Sequence, residues 1–117
     1  MHELAITESI LSIANQAAQE NNGTKVTDIY LVIGQLSAIV DDSVQFYWDY
    51  ISQGTVSEGA KLHFERRLAV LHCKSCDHQY PLGEILQPCP NCHSVDVFIE
   101  SGEELLVDHI DLLREES

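Results

Sequence analysis

Two pairs of cysteines constrain this chain more than any other feature. Cys73 and Cys76 are separated by two residues, Cys89 and Cys92 likewise, and twelve residues lie between the pairs. Each Cys-x2-Cys knuckle can aim two sulfurs at one point, and two knuckles supply the four ligands that zinc takes in a tetrahedral structural site. Twelve residues is slightly shorter than the commonest zinc-ribbon interval, yet it leaves room for a hairpin. The segment from Asp77 to Pro88 contains Pro81 and Gly83, as a turning segment should. An iron–sulfur centre also accepts four thiolates, and a redox dithiol shares the Cys-x2-Cys pattern. Structural Zn(II) is the expectation. Four thiolates close the coordination sphere and leave no position for an activated water, which argues against catalysis at this metal. The ion instead contributes folding free energy to a stretch too short to build its own core.

The rest of the chain fits a small globular protein. Its 117 residues make one ordinary domain, or a small domain carrying a smaller module, and 44% hydrophobic residues suffice for a modest core. Nineteen acidic against six basic residues give a formal net charge of -13. Such a charge repels phosphate backbones and anionic lipid surfaces. Between Cys73 and Cys92 only Lys74 is a fixed positive charge, so the module lacks the basic face of a nucleic-acid-binding ribbon. No nucleic-acid partner is expected. The apolar stretches are too short to span a bilayer, and the N-terminus lacks the basic and apolar regions of a signal peptide. These readings predict no membrane insertion and a cytoplasmic location, where cysteines stay reduced and serve as ligands.

Hydrophobic periodicity sets out the elements. Residues 4 to 20 repeat Leu4, Ile10, Leu11, Ala14, Ala17 and Ala18 near the helical period, and Asn21-Asn22-Gly23 stops them. A strand follows from Val26 to Ile33, punctuated by Gly34. Asp41, Asp42 and Ser43 are N-cap candidates for a second helix over about 43 to 53. Leu62, Phe64, Leu68 and Val70 suggest one strand with a polar interruption, running into Cys73. The chain re-emerges through Val95 to Glu100, turns at Ser101-Gly102 and alternates again from Leu105. The predicted fold is α+β: two helices packed on a small, mainly antiparallel sheet, with the four-cysteine, zinc-ribbon-like module inserted between sheet strands. Residues 1–70 and 95–117 form the α/β domain and 71–94 the zinc-binding module.

His72 precedes the first cysteine and His93 follows the last, so each is placed to donate a hydrogen bond to a thiolate or to sense pH; an ordinary solvated histidine is the plainer reading. The chain opens Met1-His2-Glu3. An α-amine, the His2 amide nitrogen and the His2 imidazole can chelate one ion through three nitrogens in a plane, which suits Ni(II) or Cu(II). A fourth position stays open to the Glu3 carboxylate or amide, to another group of the chain or to a partner protein. Met-His alone is a weak signal.

The combination is more telling. Met1-His2-Glu3-Leu4, the first helix, the strand ending Val32-Ile33-Gly34, and the Gly54-x4-Gly59-Ala60-x-Leu62 entry to the paired cysteines resemble the HypA/HybF nickel-insertion family. The resemblance covers essentially the whole chain. It implies a metallochaperone that carries Ni(II) as transient cargo and delivers it to the large subunit of [NiFe]-hydrogenase together with the nickel GTPase HypB. Some relatives also serve urease. The implied nickel ligands are Met1 through its amine, His2 through imidazole and amide, and Glu3; the implied zinc ligands are Cys73, Cys76, Cys89 and Cys92. Asp41, Asp42 and His109 are further nickel candidates, although helix capping explains the aspartates without metal. Monomer and homodimer both remain open. The rivals are an enzyme and a zinc-ribbon adaptor protein without nickel function. No Walker A loop, Gly-x-Ser-x-Gly elbow or His-Glu-x-x-His helix supports the enzyme, so none is expected.

Overall fold

The computed structural model describes residues 3–114. In chain order the elements are α1 (Glu3–Glu20), β1 (Gly23–Gly34), α2 (Asp41–Ile51), β2 (Lys61–Arg67), β3 (Val70–Cys73), β4 (Gln79–Pro81), β5 (Val97–Ser101) and β6 (Leu105–Arg114). They form two three-stranded sheets, ordered β2-β1-β6 and β4-β3-β5. The described residues divide into two compact units. One comprises residues 3–31, 39–65 and 106–114, and the other Val32–Ala38 with Arg66–Leu105.

In the first unit, Thr7, Ile10, Ala14 and Ala18 form the buried stripe of α1. Their three- and four-residue steps keep them on one face. The helix ends where the Asn21 side chain donates to the Ala17 carbonyl at 2.7 Å and Asn22 turns left-handed at φ 56°. That conformation suits Asn and releases the chain into β1. Along β1, Ile29 and Leu31 are buried while Asp28 and Tyr30 are half-exposed, the alternation of a sheet with one covered face. Val44 and Trp48 are the buried positions of α2, which packs against α1. Trp48 is fully buried, and its truncation to alanine would cost about 3–5 kcal/mol.

The start of α2 corrects the sequence reading. The N-cap is Val40, with no side-chain cap, and the helix begins at Asp41 rather than Ser43. Asp41 and Asp42 occupy the first turn, where their charges favour the positive end of the helix dipole. The helix connects β1 to β2, which lie side by side. Tyr30 meets His63 and Gln35 meets Arg67, so these two strands run the same way, as strands joined through a helix should.

The second unit holds the antiparallel β4-β3-β5 sheet, with Leu71 opposite Tyr80 on one side and Ile99 on the other. Its core is Leu71, Cys73, Tyr80 and Cys89, flanked by Cys76, Leu82 and Val97. One expectation fails here: the strand read from Leu62 through Val70 is broken at Leu68 and Ala69. The cysteine-bearing segment is inserted in chain order between β2 and β6, two strands of the other sheet, and adds a small sheet of its own. Gln35 explains the break: its N–H donates to the Arg67 carbonyl at 2.8 Å, and its side-chain oxygen accepts from the Ala69 N–H at 2.8 Å. The backbone groups freed by leaving the sheet are thereby satisfied. β4, paired antiparallel with β3, is an arm of the hairpin for which the interval between the knuckles leaves room.

Gly34 and Gly102 meet within this unit. Leu36 N–H donates to the Gly102 carbonyl at 2.7 Å and Gly34 N–H to that of Glu104 at 2.8 Å. A Cβ on Gly34 would lie 2.1 Å from the Gly102 oxygen. The glycine is needed for close approach of two backbones.

Candidate metal centre

The four cysteine sulfurs lie within 4.8 Å of one another. Cys73 Sγ and Cys92 Sγ are 3.5 Å apart, and Cys76 Sγ and Cys89 Sγ 3.6 Å. Ligands at about 2.3 Å from a tetrahedral zinc stand roughly 3.8 Å from each other, so the sulfur spacing fits that ion. β3 delivers Cys73 from its last residue, and the turn that follows brings Cys76 back.

The two knuckles repeat one backbone design. Cys73 N–H donates to the His78 carbonyl at 2.9 Å, and Asp77 N–H to the Cys73 carbonyl at 2.9 Å. Cys89 N–H donates to the Ser94 carbonyl at 2.9 Å, and His93 N–H to the Cys89 carbonyl at 2.8 Å. Asp77 and His93 occupy equivalent positions, and both are left-handed, at φ 62° and 63°. Each knuckle is thus shaped by its own backbone. Ser75 and Ser94, one from each, join through their hydroxyls at 3.0 Å.

Electrostatics fit a cation. The Asn91 amide donates to Cys76 Sγ at 3.4 Å, and this bond, with a further one from the His78 backbone, holds the Cys76 thiol down at about 6. The Ser94 backbone N–H pulls Cys92 down as well, but burial and its role as hydrogen-bond donor to the other three sulfurs push it up to about 12. Four clustered thiolates repel one another, so without a metal the cluster retains protons. A divalent ion takes their place. Bound zinc would be held by Cys73, Cys76, Cys89 and Cys92, and would supply structural cross-linking with no open coordination position. Among the described residues, no other group of three or more metal-ligating side chains comes together.

Sequence reasoning singled out His72 and His93 beside the site and missed the Asn91 donor. Asn91 lies between Cys89 and Cys92, where an amide donor is placed to reach a sulfur of the other knuckle, but no periodicity marks it. His72 Nε2 is bound to Asp77 at 3.1 Å, Nδ1 is 3.4 Å from Glu100, and the ring stacks on Phe98 at 5.0 Å. The Asp77 bond, assisted by Glu100, raises the His72 pKa against the opposing effect of burial. His93 is exposed on its turn. Of the N-terminal candidates, Glu3 opens α1, while Met1 and His2 lie outside the described residues. His109 stacks on Tyr30 at 4.0 Å.

The model of the family described as hydrogenase/urease nickel incorporation, metallochaperone, hypA, matches residues 1–112. The chain belongs to the HypA family. Its match spans the N-terminal Met1-His2-Glu3 and all four cysteines. A hydrogenase maturation factor HypA from a Geobacter species is 39% identical over 112 residues, covering 96% of this chain and 99% of that protein. The HypA of Dehalococcoides mccartyi is 37% identical over 112 residues, covering 96% and 94%. Among solved structures, a solution structure of HypA protein aligns with TM-score 0.78 at 25% identity, over 98% of both chains. The solution structure of the Ni metallochaperone HypA from Helicobacter pylori aligns with TM-score 0.70 at 23% identity, over 98% of this chain and all of that one, and shows the same fold. HypA proteins are nickel-incorporating metallochaperones of hydrogenase maturation, and this chain carries the family's α+β fold with its four-cysteine centre. No described helix is long and apolar enough to cross a membrane.

Proposed function

We propose that this chain carries Ni(II) for the maturation of a [NiFe]-hydrogenase, binding it through the Met1 amine and the His2 amide and imidazole, with Glu3 as a further ligand. The observation that carries this reading is the family match from residue 1 through residue 112, which brings the Met1-His2-Glu3 opening and the cysteine centre under one nickel-incorporating family. In this reading residues 1–70 and 95–117 handle nickel, while module 71–94 holds zinc through Cys73, Cys76, Cys89 and Cys92 and performs no chemistry. The acceptor is the hydrogenase large subunit, the partner is a HypB-type nickel GTPase, and the site of action is the cytoplasm. The family description names urease beside hydrogenase, whereas the relatives compared are hydrogenase maturation factors, which favours hydrogenase.

Three nitrogens held in one plane suit the tetragonal preference of Ni(II). A position completed by an exchangeable ligand lets the ion pass to an acceptor. Calorimetric titration with Ni(II) at neutral pH, comparing untagged protein, His2→Ala and protein extended by one residue before Met1, tests the assignment. Both changes should weaken nickel binding sharply while leaving zinc content unchanged, because extension converts the amine to an amide. An extended protein binding as tightly as the untagged one removes the amine from the ligand set. Indifference to both changes would favour a zinc-ribbon adaptor.

A further inference from the structure

The four sulfurs of the metal centre are not equally reachable. Cys73 and Cys89 are buried, Cys76 is half-buried and Cys92 is exposed. Hydrogen bonding separates the two outer sulfurs further. Cys76 Sγ accepts the Asn91 amide at 3.4 Å and a further bond from the His78 backbone, whereas Cys92 accepts the Ser94 backbone N–H. A thiolate stabilised by hydrogen bonds attacks electrophiles more slowly, and oxidation selects among thiolates by exposure. With zinc bound all four cysteines are thiolates, so exposure and hydrogen bonding decide between them. Both favour Cys92.

Cys73 Sγ lies 3.5 Å from Cys92 Sγ and belongs to the other knuckle. The backbone holds the two knuckles face to face without help from a metal. β3 pairs Cys73 with Val97 of β5, the Lys74 N–H donates to the Asp96 carbonyl at 2.9 Å, and the Ser75 and Ser94 hydroxyls meet at 3.0 Å. A disulfide needs sulfurs about 2.05 Å apart, so closure asks for a movement of roughly 1.5 Å, within the reach of side-chain rotation.

We propose that Cys92 is an oxidation site for hydroperoxides, and that its oxidation closes a disulfide with Cys73 and releases the zinc. The Cys92 thiolate attacks one peroxide oxygen and the O–O bond breaks. Sγ keeps that oxygen as a sulfenic acid, while the other leaves as hydroxide, which solvent protonates. The Cys73 thiolate then attacks Cys92 Sγ, so that the S–S bond forms as the S–O bond breaks and a second hydroxide departs. Each sulfur gives up one electron and the peroxide takes both. Only Cys76 and Cys89 remain as thiolates, too few for the closed tetrahedral site, and the ion dissociates. A dithiol reductant can attack the exposed Cys92 sulfur of the disulfide, so the change is reversible. The β3–β5 pairing keeps the knuckles in place for the ion to return.

The test uses the full zinc-loaded chain, its zinc content fixed beforehand by elemental analysis, and sub-stoichiometric hydrogen peroxide. Dimedone traps sulfenic acid, a chromogenic chelator reads released zinc, and alkylation with peptide mapping locates thiols and disulfides. The dimedone label should fall on Cys92 first. Without dimedone, a Cys73–Cys92 disulfide should accumulate while Cys76 and Cys89 remain open to alkylation, and free zinc should rise in step with it. Dithiothreitol followed by added zinc should restore the original content. Labelling that begins at Cys73, Cys76 or Cys89, a disulfide within one knuckle, or zinc retained after Cys92 is oxidised overturns the proposal. So does a chain whose thiols survive peroxide that oxidises free cysteine alongside it.

Discussion

Replacing Gly34 by alanine tests the seam between β1 and the chain entering β6. Gly34 has no positive φ, so alanine can adopt its backbone and the obstacle is space alone. The new Cβ would lie 2.1 Å from the Gly102 oxygen and 2.3 Å from its carbonyl carbon, and that contact must open to about 3.4 Å, the start of ordinary van der Waals range. Both neighbours are backbone and cannot rotate away. Opening them strains the two hydrogen bonds that close the seam, Leu36 N–H to Gly102 and Gly34 N–H to Glu104. Overpacking costs about 1–3 kcal/mol and each lost hydrogen bond about 1 kcal/mol, giving roughly 3–5 kcal/mol in total. That is a large share of a typical stability of about 5–15 kcal/mol. The melting temperature should fall by on the order of 15 °C or more. Thermal unfolding followed by Trp48 fluorescence measures it, with Gly83→Ala as the control, since nothing lies within 4 Å of a Cβ there. A Gly34→Ala protein melting within about 2 °C of the parent would refute the steric argument.

Two further outcomes concern the cysteine unit. Cys89→Ser should reduce zinc from about one ion per chain to well below it and unfold chiefly the unit built on Leu71 and Tyr80, because metal binding is worth on the order of 10 kcal/mol to such modules; elemental analysis and near-UV dichroism report it, and full zinc retention would contradict four-thiolate binding. His72 has a folded pKa raised by Asp77, so its contribution to stability is complete below its unfolded value of about 6.5 and is lost as pH rises through the folded value. Asp77→Asn keeps a residue that tolerates the left-handed turn, and NMR titration should find the His72 midpoint lowered; an unmoved midpoint would remove Asp77 as the cause.

The sequence made the elements legible where local chemistry decides them. Asn21-Asn22-Gly23 ended α1 as read, and Gly54 follows α2 closely. The cysteine cluster was legible because two knuckles at a workable separation have few other uses. Tertiary contacts decided what was missed. Nothing in Leu62 through Val70 announces a break, because its cause is Gln35, more than thirty residues away, which takes the bonds on both sides of it. The aspartates before α2 read as caps because Asp is a favoured capping residue, yet the helix started one turn position earlier and left Val40 at that place. Asn91 and the Tyr30 stack depend on which strands become neighbours, information that a one-dimensional pattern of polarity does not hold.

The zinc-bearing unit takes Val32–Ala38 from one part of the chain and Arg66–Leu105 from another. A contiguous stretch can be excised from one gene and spliced into another. This unit cannot travel that way. Residues 66–105 on their own would arrive without Gln35, leaving the Arg67 carbonyl and Ala69 amide unanswered, and without the Gly34 edge against which Gly102 closes. The chain passes between the two units four times, so either one is inherited only together with the other.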